Sequence, residues 1–249
     1  MPREPVTAAM LAIGDELLSG RTKDKNIGHL AEVMTIAGID LKEVRIVGDE
    51  PHMIADTLNT LRRSYDFVFT SGGIGPTHDD ITADAVAAAF GLAVIEHPQA
   101  VARLKANYAS RGMEFTPARR RMTRTPEGAS LIDNPVSVAP GFRIDNVFVM
   151  AGVPSVFQAM LASLLPALPV GVPLKSRAIA CPFGEGDIGD PLRQIAKENG
   201  NVVIGSYPKF DGARYSTEIV IRSRDEAAIE TAAKAVEAML AEIDRAKVV

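Results

Sequence analysis

From Val6 to Ile13 the chain is apolar apart from Thr7, and it then breaks into Gly14-Asp15-Glu16. A short apolar run closed by a glycine and acids predicts a buried strand with its exit loop. Asn26 to Ile36 carries apolar residues at helical spacing, and Gly38 stops it. The same order then returns. Ile39 to Val47 predicts a strand, Pro51 to Leu61 a helix with proline in its first turn, and Phe67 to Thr70 the next strand. Beyond a glycine-rich bend, Asp79 onward opens an alanine-rich helix with Ile81 to Phe90 as its body and Gly91 as its end. Gln99 to Tyr108 predicts another helix. Such alternation implies an α/β fold, a mostly parallel sheet covered by helices on both faces as a three-layer sandwich.

From Met113 to Asn146 the periodicity loosens into proline- and glycine-punctuated stretches, which predict loops and short strands closing the same edge. Val147 to Met150 is a further core strand, and Pro154 opens a helix that runs through Leu165. Three prolines between Pro166 and Pro173 mark a linker. Beyond it the order changes to strand (Ser176 to Cys181), helix (Asp187 to Asn199), strand (Val202 to Gly205), strand (Tyr215 to Arg222) and helix (Asp225 to Ile243). The chain therefore divides into an α/β domain over 1–168 and a small α+β domain over 174–249.

Ligands of open α/β sheets sit beyond the carboxyl ends of the strands. Three predicted strand exits carry acids: Asp15 and Glu16, Asp49, and Asp79 with Asp80. Gly72, Gly73 and Gly75 let backbone approach a ligand closely, so the bend is a phosphate-handling loop or simply a tight turn. Carboxylates beside a phosphate repel it. Asp79 and Asp80 therefore either cap the following helix or hold a divalent cation or a water between protein and phosphate. Asp49 is a turn acid before Pro51 or a further member of that set, and Glu16 is a first-turn helix acid or another.

With 47% apolar residues among 249, the chain has enough material for a packed core. A formal charge of −4 removes any global field that would draw nucleic acid or an anionic membrane, so an anionic ligand has to be met locally. Cys181 is the single cysteine, which excludes an intramolecular disulfide and a cysteine-cluster metal site. The N-terminus lacks the order of a signal peptide, and no apolar run is long enough to span a bilayer. The expected location is the cytoplasm.

Gly14-Asp-Glu-Leu-Leu-Ser-Gly20, Thr70-Ser-Gly-Gly-Ile-Gly-Pro-Thr-His-Asp-Asp-Ile-Thr82, Ala139-Pro-Gly-Phe142 and Gly152-Val-Pro-Ser155 together resemble the CinA (competence/damage-inducible protein A) family. That family shares a molybdopterin-binding-type domain with MogA, MoaB and gephyrin, and the resemblance covers residues 5 to about 165. The second domain resembles the KH-like module that follows in CinA-type proteins, and Ile204-Gly-Ser-Tyr-Pro208 is similar to the corresponding region of eukaryotic FAD synthases. Long CinA proteins carry a further nicotinamide-nucleotide deamidase domain; with the sequence ending at Val249, that activity is expected to be absent. Cofactor-biosynthesis members read Gly-Gly-Thr-Gly, whereas Ile74 stands third here, which favours the CinA branch.

The resemblance implies metal-dependent hydrolysis of a nucleotide pyrophosphate of the ADP-ribose or FAD type. Its alternative is a molybdopterin-binding or molybdenum-cofactor-biosynthesis protein without hydrolase activity. On this reading Asp15, Glu16, Asp49, Asp79 and Asp80 bind Mg²⁺, Mn²⁺ or Co²⁺, with Asp80 and Asp49 also catalytic. Gly14, Ser71, Gly72, Gly73, Gly75, Thr77, Arg121 and Arg124 contact a nucleotide or pterin. Arg121 and Arg124 belong to a basic cluster with Arg119 and Arg120 that is otherwise a solvated helix face. His78 is a surface residue rather than a base. A homo-oligomer, dimer or trimer, is expected, with neither nucleic acid nor membrane as partner. Gly186-Asp-Ile-Gly189 has the letters of a nucleic-acid-clamping loop, but Glu185, Asp187 and Asp190 around it would repel phosphates.

Overall fold

The computed structural model describes residues 5–169, 171–210, 212 and 215–247, and two compact units divide the chain, Met1–Gly171 and Val172–Val249. The first opens with β1 (Thr7–Ile13), a four-residue turn of helix α1 (Asp15–Leu18), α2 (Asn26–Ala37), β2 (Asp40–Val47), α3 (Pro51–Ser64), β3 (Phe67–Ser71) and α4 (Thr82–Phe90). It continues with β4 (Val94–Glu96), α5 (Pro98–Ser110), α6 (Pro117–Arg121), β5 (Arg124–Pro126), β6 (Ser130–Ile132), β7 (Gly141–Ile144), β8 (Val147–Met150) and α7 (Pro154–Leu164).

A six-stranded sheet in the order β2-β1-β3-β8-β7-β6 forms its centre. The first four strands are mutually parallel, and β7 and β6 continue the sheet antiparallel. Alternate residues of β1 feed opposite faces, as a period-two strand requires. Ala9 and Leu11 join Leu58 and Leu61 of α3 and Val86 of α4, while Ala8 and Met10 join Leu30 and Met34 of α2 and Phe157 and Leu161 of α7. The result is the three-layer, mostly parallel architecture.

Two boundaries differ from expectation. The helix after the glycine loop starts at Thr82, not near Asp79, and its N-cap Ile81 makes no side-chain cap bond. The reason lies in Asp80, whose carboxylate folds back to accept from Thr77 N and Oγ1 (2.8 and 2.6 Å), holding both acids in a turn before the helix. Neither acid caps α4. The stretch from Met113 to Asn146 is also richer than loops and short strands, because α6 forms within it, with Thr116 accepting from Arg119 N as its cap.

The second unit runs β9 (Lys175–Cys181), α8 (Glu185–Glu198), β10 (Val203–Phe210), β11 (Tyr215–Ser223) and α9 (Glu226–Lys247). Its antiparallel sheet has the order β10-β11-β9, and Ile219 and Ile221 of β11 pack with Ile188 and Leu192 of α8 and Ile229 and Val236 of α9. β10 extends past Gly205 to Phe210, carrying Pro208 on an edge strand where a missing N–H is tolerated. Gly186 and Gly189 lie inside α8, so the four-residue pattern is helical and forms no clamping loop.

Candidate functional site

β1, β2, β3 and β8 run parallel, so their exit loops gather at one edge of the sheet. There the Gly72–Asp80 loop meets the start of α7 around a cavity of about 560 Å³, a size that suits a small organic ligand. Gly72, Gly73, Ile74, Gly75 and Asp80 form one wall, Ala151 to Pro154 another, and Asn134, Ser137 and Ala139 a third. Glu16 and Thr22 enter from the first loop, and Met122, Val156 and Met160 complete an apolar lining.

The loop's geometry explains its glycines. Gly72 and Gly73 have φ of +114° and +67°, and a side chain on Gly73 would strike Thr82 Oγ1. That hydroxyl donates to Gly72 O at 3.0 Å, while Thr82 N donates to Gly73 O at 3.0 Å, so the helix start locks the loop. Gly72 N donates to Met150 O at 3.1 Å and continues the sheet. Of the three glycines, Gly73 and Gly75 keep N–H groups with no acceptor among the described residues. Ile74 packs against both hydrophobic cores and also lines the cavity, which anchors the loop between the layers.

The acids separate into distinct groups. Glu16 and Asp80 line the cavity. Asp15 and Asp49 do not; they exchange hydrogen bonds, Asp15 N to Asp49 Oδ2 at 3.0 Å and Asp49 N to Asp15 Oδ1 at 3.3 Å. Burial raises the pKa of Asp49 above the usual carboxylate range, and the charges of Asp15, Glu16 and Asp79 push the same way against the Asp15 N–H bond. Asp79 lies outside the cavity wall beside His78, both exposed. Among the described residues, no group of three or more His, Cys, Asp or Glu side chains is placed to hold a metal ion.

The remaining candidates support the loop. Arg121 donates from Nε to Thr77 O (2.9 Å) and from Nη2 to Asp80 O (3.0 Å), fixing the turn that presents Asp80. Arg124 pairs with Asp84, Thr77 uses its hydroxyl on Asp80, and Gly14 donates to Val47 O. Ser71 Oγ accepts from Asn26 Nδ2 at 2.7 Å. The main cavity's lining contains no Lys, Arg or His.

Residues 9–170 match the family described as a probable molybdopterin binding domain. The chain belongs to that family. Residues 173–247 of this CinA-like member match the FAD synthase middle domain. The CinA-like protein of Syntrophus aciditrophicus (strain SB) is 31% identical over 240 residues, spanning 92% of this chain and 57% of that protein. A protein of Archaeoglobus fulgidus is 31% identical over 200 residues, 80% of this chain and 85% of its own length. The crystal structure of CinA from Thermoplasma acidophilum, a protein of unknown function, superposes with a TM-score of 0.61 at 29% identity, covering 66% of this chain and 98% of that one.

Sequence reasoning centred on acids, glycines and arginines, and it passed over Thr22, Asn26, Met122, Asn134 and Ser137. Asn26 alone left a signal. It opens the periodic helix that follows β1 and its exit segment, a place where a buried polar side chain needs a partner. No helix among the described residues is long and apolar enough to cross a membrane.

Proposed function

We propose that this CinA-like chain hydrolyses the diphosphate bond of a nucleotide of the ADP-ribose or FAD type with a divalent cation. The observation that carries the reading is a cavity walled by two carboxylates, Glu16 and Asp80, together with a glycine loop and no basic side chain. A diphosphate there meets the N–H groups of Gly73 and Gly75 but no cationic side chain. Mg²⁺ is commonly held by one or two carboxylates plus the substrate's own phosphate oxygens. The residues present fit that arrangement and not an all-protein cage. When bound, the cation would neutralise charge at the diphosphate and activate a water. Glu16 and Asp80 are the residues that would hold it, with Arg121 keeping the Asp80 turn in place. The apolar wall of Ile74, Met122, Val153 and Met160 receives the ring end of the ligand and keeps bulk water out.

Asp49, behind Asp15, acts on this reading by positioning the first loop. The presence of a family described as molybdopterin-binding, together with that apolar wall, also favours a pterin as the ring. The two readings separate in one experiment: purified chain is incubated with ADP-ribose, FAD, NAD and molybdopterin, with and without Mg²⁺, Mn²⁺ or Co²⁺, and products are identified. Metal-dependent release of nucleoside monophosphate supports hydrolysis. Binding of molybdopterin with every nucleotide left intact supports the pterin reading instead.

A further inference from the structure

Beside the main cavity lies a second, smaller compartment, which shares Glu16, Thr22, Gly152 and Pro154 with it. It gives the centres of water-sized atoms about 50 Å³ to occupy, room for the clustered oxygens of a phosphoryl group. Lys23 and Lys25 form part of its lining, whereas the main cavity has no cationic side chain. The segment that carries them is pinned at both ends. Thr22 N donates to Glu16 O at 3.0 Å, and Ile27 N donates to Asp24 Oδ1 at 2.7 Å where α2 begins. Both lysines are exposed, and among the described residues neither ammonium group pairs with an acid.

Two acids also line the compartment, Glu16 and Asp24, and both are committed elsewhere. Glu16 faces the main cavity too, where the reading above gives it the cation. Asp24 is bonded to the first turn of α2, where the helix dipole favours a negative charge. A diphosphate with one charge on each phosphate, set beside Glu16 and Asp80, outweighs one divalent cation by two negative charges. Two ammonium groups supply that difference. We propose that Lys23 and Lys25 form an anion subsite that holds the phosphoryl oxygens the cation leaves uncovered, so that the diphosphate lies across the mouth the two compartments share. The proposal rests on the nucleotide reading above. It makes both lysines specificity-determining residues, which select a diphosphate over a neutral nucleoside.

The test is calorimetric binding of the α,β-methylene analogue of ADP-ribose, which resists cleavage at the diphosphate, set beside neutral adenosine at one Mg²⁺ concentration over a series of NaCl concentrations. Both side chains are exposed, so their replacement leaves the fold in place. Lys23→Gln and Lys25→Gln are each expected to weaken binding of the analogue about 3- to 10-fold, and the double variant about 10- to 100-fold. Adenosine affinity should stay within about 2-fold of wild type, and the double variant's affinity for the analogue should fall less steeply with salt. A double variant that binds the analogue as tightly as wild type, with the same salt dependence, overturns the subsite and leaves the nucleotide reading standing. Equal losses for the analogue and for adenosine also overturn it, since they assign the effect to the shape of the loop and not to its charge. No binding of the analogue to the wild type overturns both readings.

Discussion

Two acids at opposite ends of the central sheet's strands, Asp66 and Asp49, are treated in opposite ways. At the N-terminal ends of β1 and β3, Asp66 accepts from Thr7 N and Oγ1 at 2.8 and 2.7 Å, and those bonds hold its pKa below the usual range. At the C-terminal ends of β1 and β2, Asp49 accepts from Asp15 N in a similar tie, yet burial and three neighbouring acids push its pKa upward. Folding is helped by ionised Asp66 and opposed by ionised Asp49. Asp66 is an acid paired with donors that serve the fold. Asp49 gathers like charges around it beyond what the fold rewards, which marks its loop as a candidate binding edge, where a cation or donor relieves the repulsion.

The largest expected effect separates two glycines of the C-terminal edge. Gly73 has positive φ, and a side chain there would also strike Thr82, whereas Gly48 has an ordinary backbone and only the tip of Asp15 in the way. Gly73→Ala is therefore expected to cost about 3 kcal/mol by strain and displacement. Gly48→Ala is expected to cost less than about 1 kcal/mol, since a carboxylate can swing aside. Denaturant titration of both variants checks this. Comparable losses would mean that the two loops are equally rigid and that the glycine cradle is not distinctive.

Next comes Asp80→Asn. Asn keeps an acceptor for Thr77 N, so melting should move by no more than a few degrees, while loss of the charge on the cavity wall should lower metal-dependent turnover of ADP-ribose about 10²-fold. Turnover near wild type would reduce Asp80 to a turn-forming residue.

Much of this arrangement was legible in the sequence. β1, β3 and β8 appear as apolar runs, α2 and α3 as periodic segments, and the glycine loop as punctuation, because each is long enough or chemically marked enough to show its period. α6 and β4 to β7 span three to five residues each, too few for periodicity, and β4 and β5 form only by pairing with each other across the intervening helices, Val94 with Pro126 and Glu96 with Arg124. The acids were legible as residues but not as a set. Only tertiary structure shows that Asp15 and Asp49 hold each other while Glu16 and Asp80 face the cavity. Asn26 was legible only as a polar residue opening a helix, since its two partners stand 45 and 126 residues away.

Asp49→Asn sharpens the comparison further. A raised folded-state pKa contributes stability that is complete below the unfolded value, near pH 4, and is lost as pH rises through the folded value. The ionised side chain is thus a cost at neutral pH. In chelator-treated buffer, Asp49→Asn should melt slightly higher than wild type at pH 7, by less than about 1 kcal/mol after solvent screening. The gap should close toward pH 4. A variant less stable at pH 7 would show that the Asp15 tie outweighs the repulsion.

The smallest effect, at the opposite edge, carries the opposite sign. Asp66 has a depressed folded-state pKa, so its contribution is present above the unfolded value near pH 4 and disappears as pH falls through the folded one. Asp66→Asn retains an oxygen for Thr7 N but loses the charge, and the site is largely open to solvent, so the expected loss at pH 7 is well under about 1 kcal/mol. The difference from wild type should be constant from pH 8 to about 5 and vanish at lower pH, whereas that of Asp49→Asn grows with pH. Melting curves of the two variants over one pH series make the contrast direct. Parallel pH profiles would show that Asp49 and Asp66 are equivalent acids, and the electrostatic distinction between them would fall.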